Sequence, residues 1–374
     1  MRDLIAAAAR TGLRLLRRDE RGTVGVLIAI LVAGGVLLGM GAVAVDVGRV
    51  YQGRAELQNG ADAAALAVAR SCAYGGACTN AAGLAVSGSY VSGNASVLTT
   101  GTAAAGQVCG SGSLGTCTPT GAMVSCPANP AGSVNYVDVN TAASVSPIFS
   151  EVLGFGSATV KACAQAEWGS AQLANTIALT ISVCQWYSLT QNGGVPWNTN
   201  VPVYLKGNGV VPCSGPAGSN IPGGFGWLCI TGSGSSCNGN SGSGNCQGII
   251  DLATSTSYSD PGTSPPSGCS QLLQQLVTSG SVVYVPVFST ATGSGNGNGG
   301  GSNSGTYHII GLAAFVVVGY TNLPGGKPKD FGTYNLCTGN NPCLEGHFTQ
   351  ALVPLSSLVG PGTDFGATAV VLTG

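Results

Sequence analysis

The stretch AVAVDVGRVYQGRAELQNGADAAALAVAR, residues 42–70, decides how the rest of this chain is read. It closes an uncharged run that begins at Thr23 and ends at Val45, and it contains the first acid beyond that run, Asp46. As a helix, about 23 residues rising 1.5 Å each extend roughly 35 Å, enough to cross a bilayer with some tilt. Ala42-Val43-Ala44 would suit a signal peptidase, but the run is about twice the 7–15 apolar residues of a signal peptide, so it reads as a signal anchor. Beyond Asp46, Val47, Val50, Tyr51, Leu57, Ala61, Ala64, Ala65 and Val68 recur at steps of three and four. Gln52, Glu56, Asn59 and Asp62 fall largely on the other side, the signature of an amphipathic helix. One helix is therefore expected to leave lipid at Asp46 and continue to Arg70. Gly48, Gly53 and Gly60 each cost it about 1 kcal/mol relative to Ala, so it needs packing partners along its length.

Six arginines (Arg2, Arg10, Arg14, Arg17, Arg18, Arg21) precede the run and two, Arg49 and Arg54, follow it closely. The positive-inside rule then puts the N-terminus in the cytoplasm and everything after Asp46 outside. Residues 2–18 mix Leu4, Ile5, Leu13, Leu15 and Leu16 with arginine and alanine, which suits either a basic helix on the inner membrane surface or a tail that only sets orientation. Within the run, Gly35 and Gly39 form a G-x-x-x-G, and Gly25, Ala29 and Ala33 a second small-residue ladder. Both would let another transmembrane helix approach closely.

Composition agrees with an exterior location. Charged residues are 7% of the chain and glycines number 61, against about a quarter charged in ordinary soluble proteins. Beyond Arg70, four lysines face eight acids, a net charge of −4. That field is too weak and too negative to replace the counterions of a nucleic acid, and this class of partner is excluded. All fourteen cysteines lie between Cys72 and Cys343, which fits disulfides in an oxidising compartment. No C-x-x-C occurs, so neither a zinc ribbon nor a thioredoxin-like centre is indicated. Cys72 with Cys78, and Cys337 with Cys343, are the easiest local loops to close.

After Arg70 a turn-rich stretch runs to about Ser133, followed by an expected strand over Val134–Val139, a short helix over Pro147–Leu153 and a strand over Ala158–Ala166. Further on, TIALTISV, VPVYLK, SVVYVPVF and HIIGLAAFVVVGY are β-rich runs of the kind buried in a sheet, and Cys269–Val277 is the expected helix. His308–Tyr320 is too short for a second span and reads as a central strand. The glycine-rich loop from Thr290 to Thr306 lacks the Gly-Lys-Ser/Thr of a phosphate loop, so no nucleotide is expected. The fold class is α+β: a long helix, transmembrane then amphipathic, followed by a disulfide-stabilised, β-rich extracytoplasmic region. The ranges are a basic tail 1–21, a span 22–45, an amphipathic helix 46–70, a first exterior unit 71–173 and a second, β-rich unit 174–374.

Chemistry is hard to find in this exterior. His308 and His347 are the only histidines, and no G-x-S-x-G elbow accompanies them. Asp138, Glu151, Glu167, Asp251, Asp260, Asp330, Glu345 and Asp364 are scattered, with no spacing that pairs two for acid–base work or gathers them around a cation. Trp168, Trp186, Trp197 and Trp227 read as core. No catalytic, cofactor or metal residue is assigned, and the chain is not expected to be an enzyme.

The order of elements in the helix is more specific. Arg21-Gly22 opening the apolar run, Asp46-x-Gly48, the aromatic Tyr51, Leu57-Gln58 and the ADAAALA that carries Asp62 resemble the N-terminal module of the TadE/TadG-like group of Tad (Flp) pilus-assembly proteins. A looser similarity covers VNYVDVNTAASVSPIFSEVLGFGSATVKACAQAEWG, and GGFGWLC, VVYVPVF and YHIIGLAAFVVVGY are similar to exterior parts of actinobacterial members. The resemblance implies a membrane-anchored, pilin-like accessory protein of pilus assembly or a related secretion apparatus, with other pilus-assembly or pilin-like proteins as partners through its helix. It departs from a type IV prepilin, which carries Glu at the fifth position after its cleavage glycine, where this chain has Leu27. A permanently anchored role follows. The alternative is a surface adhesin or ligand-binding module that the anchor merely displays.

Overall fold

The structure, a computed structural model, describes residues 2–94, 104–117, 126, 128, 135–149, 151, 156–191, 197–204, 213–214, 220–221, 225–229, 246–254, 256–258, 265–266, 268–292, 306–324, 328–354, 359–360 and 362–373. Residues 2–73 contain no proline and are rich in alanine, leucine and arginine, all strong helix formers. They make one helix, α1 (Arg2–Ala73). Its part from Thr23 onward is long and apolar enough to cross a membrane. From Val24 to Val45 the large apolar side chains point outward with nothing of the fold against them.

The outer half of α1 carries the first core. Leu57, Ala61, Ala64, Ala65, Val68 and Ala69 are buried there, the face expected from the three- and four-residue spacing. The lower end of that stripe differs: Val47 and Tyr51 stay exposed, because the face that packs there runs through Asp46, Val50 and Gly53 and these two lie about 100° round the helix from it. A second helix, α2 (Asn80–Gly93), lies against α1, its first turn capped by the Thr79 hydroxyl, which accepts from the Ala82 N–H. The turn-rich reading of this stretch gave no helix here. Strands β1 (Ala104–Gly110), β2 (Asn135–Val145) and β3 (Ala158–Ser170) pair antiparallel in that order. Two later strands extend the sheet: Ala367–Leu372 pairs antiparallel with β3, and Ala351–Leu352 runs parallel beside it.

This sheet is two-faced, as strand alternation requires. Val137, Val139, Ala143 and Val145 of β2, with Val160, Ala162, Ala164, Ala166 and Trp168 of β3, pack toward the helices. The opposite face presents Asp138, Asn140, Cys163, Gln165 and Glu167. Of the helix expected over Pro147–Leu153, residues 147–149 are described and bend without helical structure, while 150, 152 and 153 lie outside the described residues.

The second core is built around the strand Thr306–Thr321, the apolar run read as a central strand. Val282–Thr292 and Cys343–Thr349 flank it antiparallel, and the sheet continues through Leu179–Ser182 on one side and Asn200–Tyr204 on the other. The helix Cys269–Ser279 covers it with Leu273 and Leu276. Trp186, Phe365, Phe348 and Phe315 form an edge-to-face cluster inside. The final strand serves both cores: Ala367 and Ala369 lie in the second, Val370 in the first.

Disulfides join Cys72–Cys78, Cys109–Cys117, Cys126–Cys163, Cys246–Cys269 and Cys337–Cys343. Cys184 and Cys229 are disulfide-bonded as well. The loop Thr290–Thr306 lies mostly outside the described residues.

Candidate functional site

Four of the residues that carried the family resemblance, Asp46, Leu57, Gln58 and Asp62, lie along a seam where α1 meets the β-rich fold. Leu57 is fully buried in the first core. Next to it, the Gln58 amide donates both to Asp62 Oδ1 at 2.8 Å and to the Cys163 carbonyl of β3 at 3.0 Å. Asp62, one turn further on, thus orients the amide that ties helix to sheet. Spacing of four residues puts the two side chains on one face, and a strand carbonyl at a sheet surface offers the free acceptor.

Asp46 works at the other end of the seam. It is only 7% exposed, and its carboxylate accepts from the main-chain N–H of Ile148 at 2.8 Å and of Phe149 at 3.2 Å. A charge just past an apolar run looks like a solvated boundary residue. Here it is a bracket that holds the loop after β2 onto the helix across 102 positions of sequence. Gly48 makes no such contact, and a Cβ built on it meets nothing within 4 Å.

One glycine outside the resemblance matters more. A Cβ on Gly60 would stand 3.0 Å from the Val91 Cα of α2, so the glycine allows the backbones of α1 and α2 to close together. Gly83 of α2 is equally tight, its added Cβ 2.7 Å from Val108 of β1. Gly35 and Gly39 are different: added Cβ atoms there meet nothing within 4 Å, so the face they form is open to whatever lies outside the chain.

The polar face of the first sheet holds a buried relay. Thr373 donates to the Gln165 amide oxygen at 2.9 Å, and the Gln165 amide nitrogen donates to Asp138 Oδ1 at 2.8 Å. Burial pushes the Asp138 carboxyl up, and the Gln165 bond offsets part of that rise. Cys109, Cys117 and Asp138 bring their ligand-type atoms within 4.8 Å of one another, yet the two sulfurs are joined as a disulfide and offer no thiolate to a metal.

Three further acids and the two histidines have local partners. Glu345 accepts from the Leu336 N–H, Asp330 from Thr321 and the Asn322 N–H, and Asp364 from Thr368 and the Gly366 N–H. The Thr321 hydroxyl and the Asn322 N–H hold Asp330 below the usual carboxylate range. His308 is exposed, with Nδ1 3.2 Å from the Ser289 hydroxyl. His347 Nδ1 stands 3.0 Å from Asn200 Oδ1, and burial lowers its pKa. Cys72–Cys78 closes the top of α1, and Cys337–Cys343 closes the turn entering the strand Cys343–Thr349.

The seam, and not a pocket, is where this chain matches something known. Residues 23–71 match the Tad family model, that of Flp pilus-assembly TadE/G-like proteins. Over those 49 residues the chain is similar to TadE/G-like proteins. No curated protein and no solved structure matches it. The matched TadE/G-like segment begins where the uncharged run begins and ends at the Cys72–Cys78 loop, so it covers the anchor and the seam together. The α1–α2 closure and the bracket at Asp46 escaped sequence reasoning. The only signal for the first was an unexplained glycine in a helix interior.

Proposed function

We propose that this chain is a single-pass envelope protein, its N-terminus cytoplasmic and its C-terminal region outside, that serves as a permanently anchored accessory component in assembling Tad/Flp-type pili or a related secretion apparatus. The observation that carries the reading is the coincidence of the family match with one continuous helix. From Val24 to Val45 it offers only apolar side chains and glycine, and its outer half is the spine on which the exterior folds. Such a helix transmits position: whatever packs on the anchor fixes where the exterior stands. The open small-residue face at Gly35 and Gly39 suits a neighbouring pilin-like helix, since lipid-phase helices associate by close backbone approach. The role is structural and not catalytic: Asp46 holds a loop to the helix, Asp62 orients Gln58, and Asp330, Glu345 and Asp364 accept from nearby main-chain N–H groups.

Crosslinking in intact membranes, followed by identification of what co-purifies, tests this. Pilus ATPase, platform or pilin-like proteins are the expected partners. Recovery of the chain only in the medium, with a new N-terminus near Val45, would overturn the anchored role.

A further inference from the structure

Two large apolar side chains sit in the open beside the point where the uncharged run ends. Ile148 and Phe149 are 49% and 47% exposed, and on the neighbouring helix Val43, Val45 and Val47 are exposed to a similar degree. The main chain of this loop is bound to Asp46 by the bonds at 2.8 and 3.2 Å. Since a helix advances about 1.5 Å per residue, its backbone lies within one turn of the end of the span. We propose that Ile148 and Phe149 enter the interface of the leaflet from which α1 emerges, giving the exterior fold a second contact with lipid.

Three observations favour lipid as the occupant. The apolar patch is continuous with the exposed apolar surface of the span itself, so a bilayer around Thr23–Val45 necessarily comes to its edge. The N–H groups of Ile148 and Phe149 are already satisfied by a carboxylate, and backbone that enters an apolar phase with free donors would cost several kcal/mol per group. The carboxylate is itself almost fully covered, so the charge that holds the loop is kept off the lipid. Aromatic side chains such as Phe149 commonly serve at such interfaces in partly inserted loops and helices. With a contact beside the helix as well as along it, the exterior is held against tilting about the exit point.

The proposal rests on Thr23–Val45 spanning a membrane, and the test separates the two. The full chain is placed in phosphatidylcholine/phosphatidylglycerol vesicles with a benzophenone amino acid at one position, Phe149→p-benzoylphenylalanine or, in the span, Val36→p-benzoylphenylalanine. After irradiation, adducts are identified by mass spectrometry. Lipid adducts at both positions, with position 149 within a few-fold of position 36, support the second contact. Lipid adducts at 36 with none at 149, or protein adducts at 149, overturn it and leave the anchor standing. Absence of lipid adducts at both positions overturns the span itself and the proposal with it.

Discussion

At the residue scale, Gln58 is the most informative side chain, because a single amide joins the membrane helix to β3 while Asp62 orients it. Gln58→Ala removes both bonds and is expected to cost about 1–2 kcal/mol, read as a lowered denaturation midpoint of the full chain in detergent. Gly60→Leu should cost about 1–3 kcal/mol, since the side chain must displace the α2 backbone in a packed core. A thermal melt that moves upward would contradict the close approach at Val91. Asp138 gives a pH signature. Its folded pKa lies above the unfolded 3.8, so the folded state holds the proton more tightly. The stability this contributes is fully present below pH 3.8 and is lost as pH rises through the folded pKa. Asp138→Asn should therefore leave stability at pH 7 unchanged or higher and flatten the acid-side curve, as measured by melts from pH 3 to 7. Leu57, Gln58 and Asp62 could be singled out from sequence because they stand in one ordered stretch. The partners of Asp46 could not, since nothing in residues 42–70 points to a loop 102 positions away.

At the scale of elements, periodicity worked where side chains are large and failed where they are small. The long strand Thr306–Thr321 and the helix Cys269–Ser279 stood out as dense runs of β-branched residues and as a Leu-rich turn pattern. α2 did not, because NAAGLAVSGSYVSG has almost no apolar volume to mark a face. It holds its place by lying close to α1 over Gly60 and by its Thr79 cap. The lower stripe of α1 misled for a different reason: Val47 and Tyr51 have the right spacing, but the fold meets the helix there on the neighbouring face, at Asp46 and Gly53. With so little volume in the first core, cross-links should matter in proportion to the loop they close. Removing Cys126–Cys163, which spans 37 positions, by paired alanines should cost about 4 kcal/mol, against about 2.5 kcal/mol for Cys72–Cys78, which spans 6. Denaturant titration of the two double variants checks the order, and equal losses would mean that the first sheet does not depend on that tie.

At the scale of the whole molecule, the chain is an apolar helix, a seam and a β-rich region that closes on itself. Its last strand returns to β3, so the C-terminal residues complete the sheet that α1 supports. Truncation before Ala367 is expected to loosen both cores at once, because Ala369 lies in one and Val370 in the other. A single cooperative loss of both in hydrogen exchange would show it. The family was legible because its elements follow one another along one helix, whereas the exterior folds were not, their contacts being long-range and their chemistry confined to turns and caps. The account as a whole stands on a role in pilus assembly that is permanent and membrane-bound. Deleting the gene in the cell that carries it and counting surface pili, with re-expression of the full chain as control, tests that most directly. The account predicts that pili are lost and return with the full chain, whereas normal pilus numbers with weakened surface attachment would contradict it and favour an anchored adhesin.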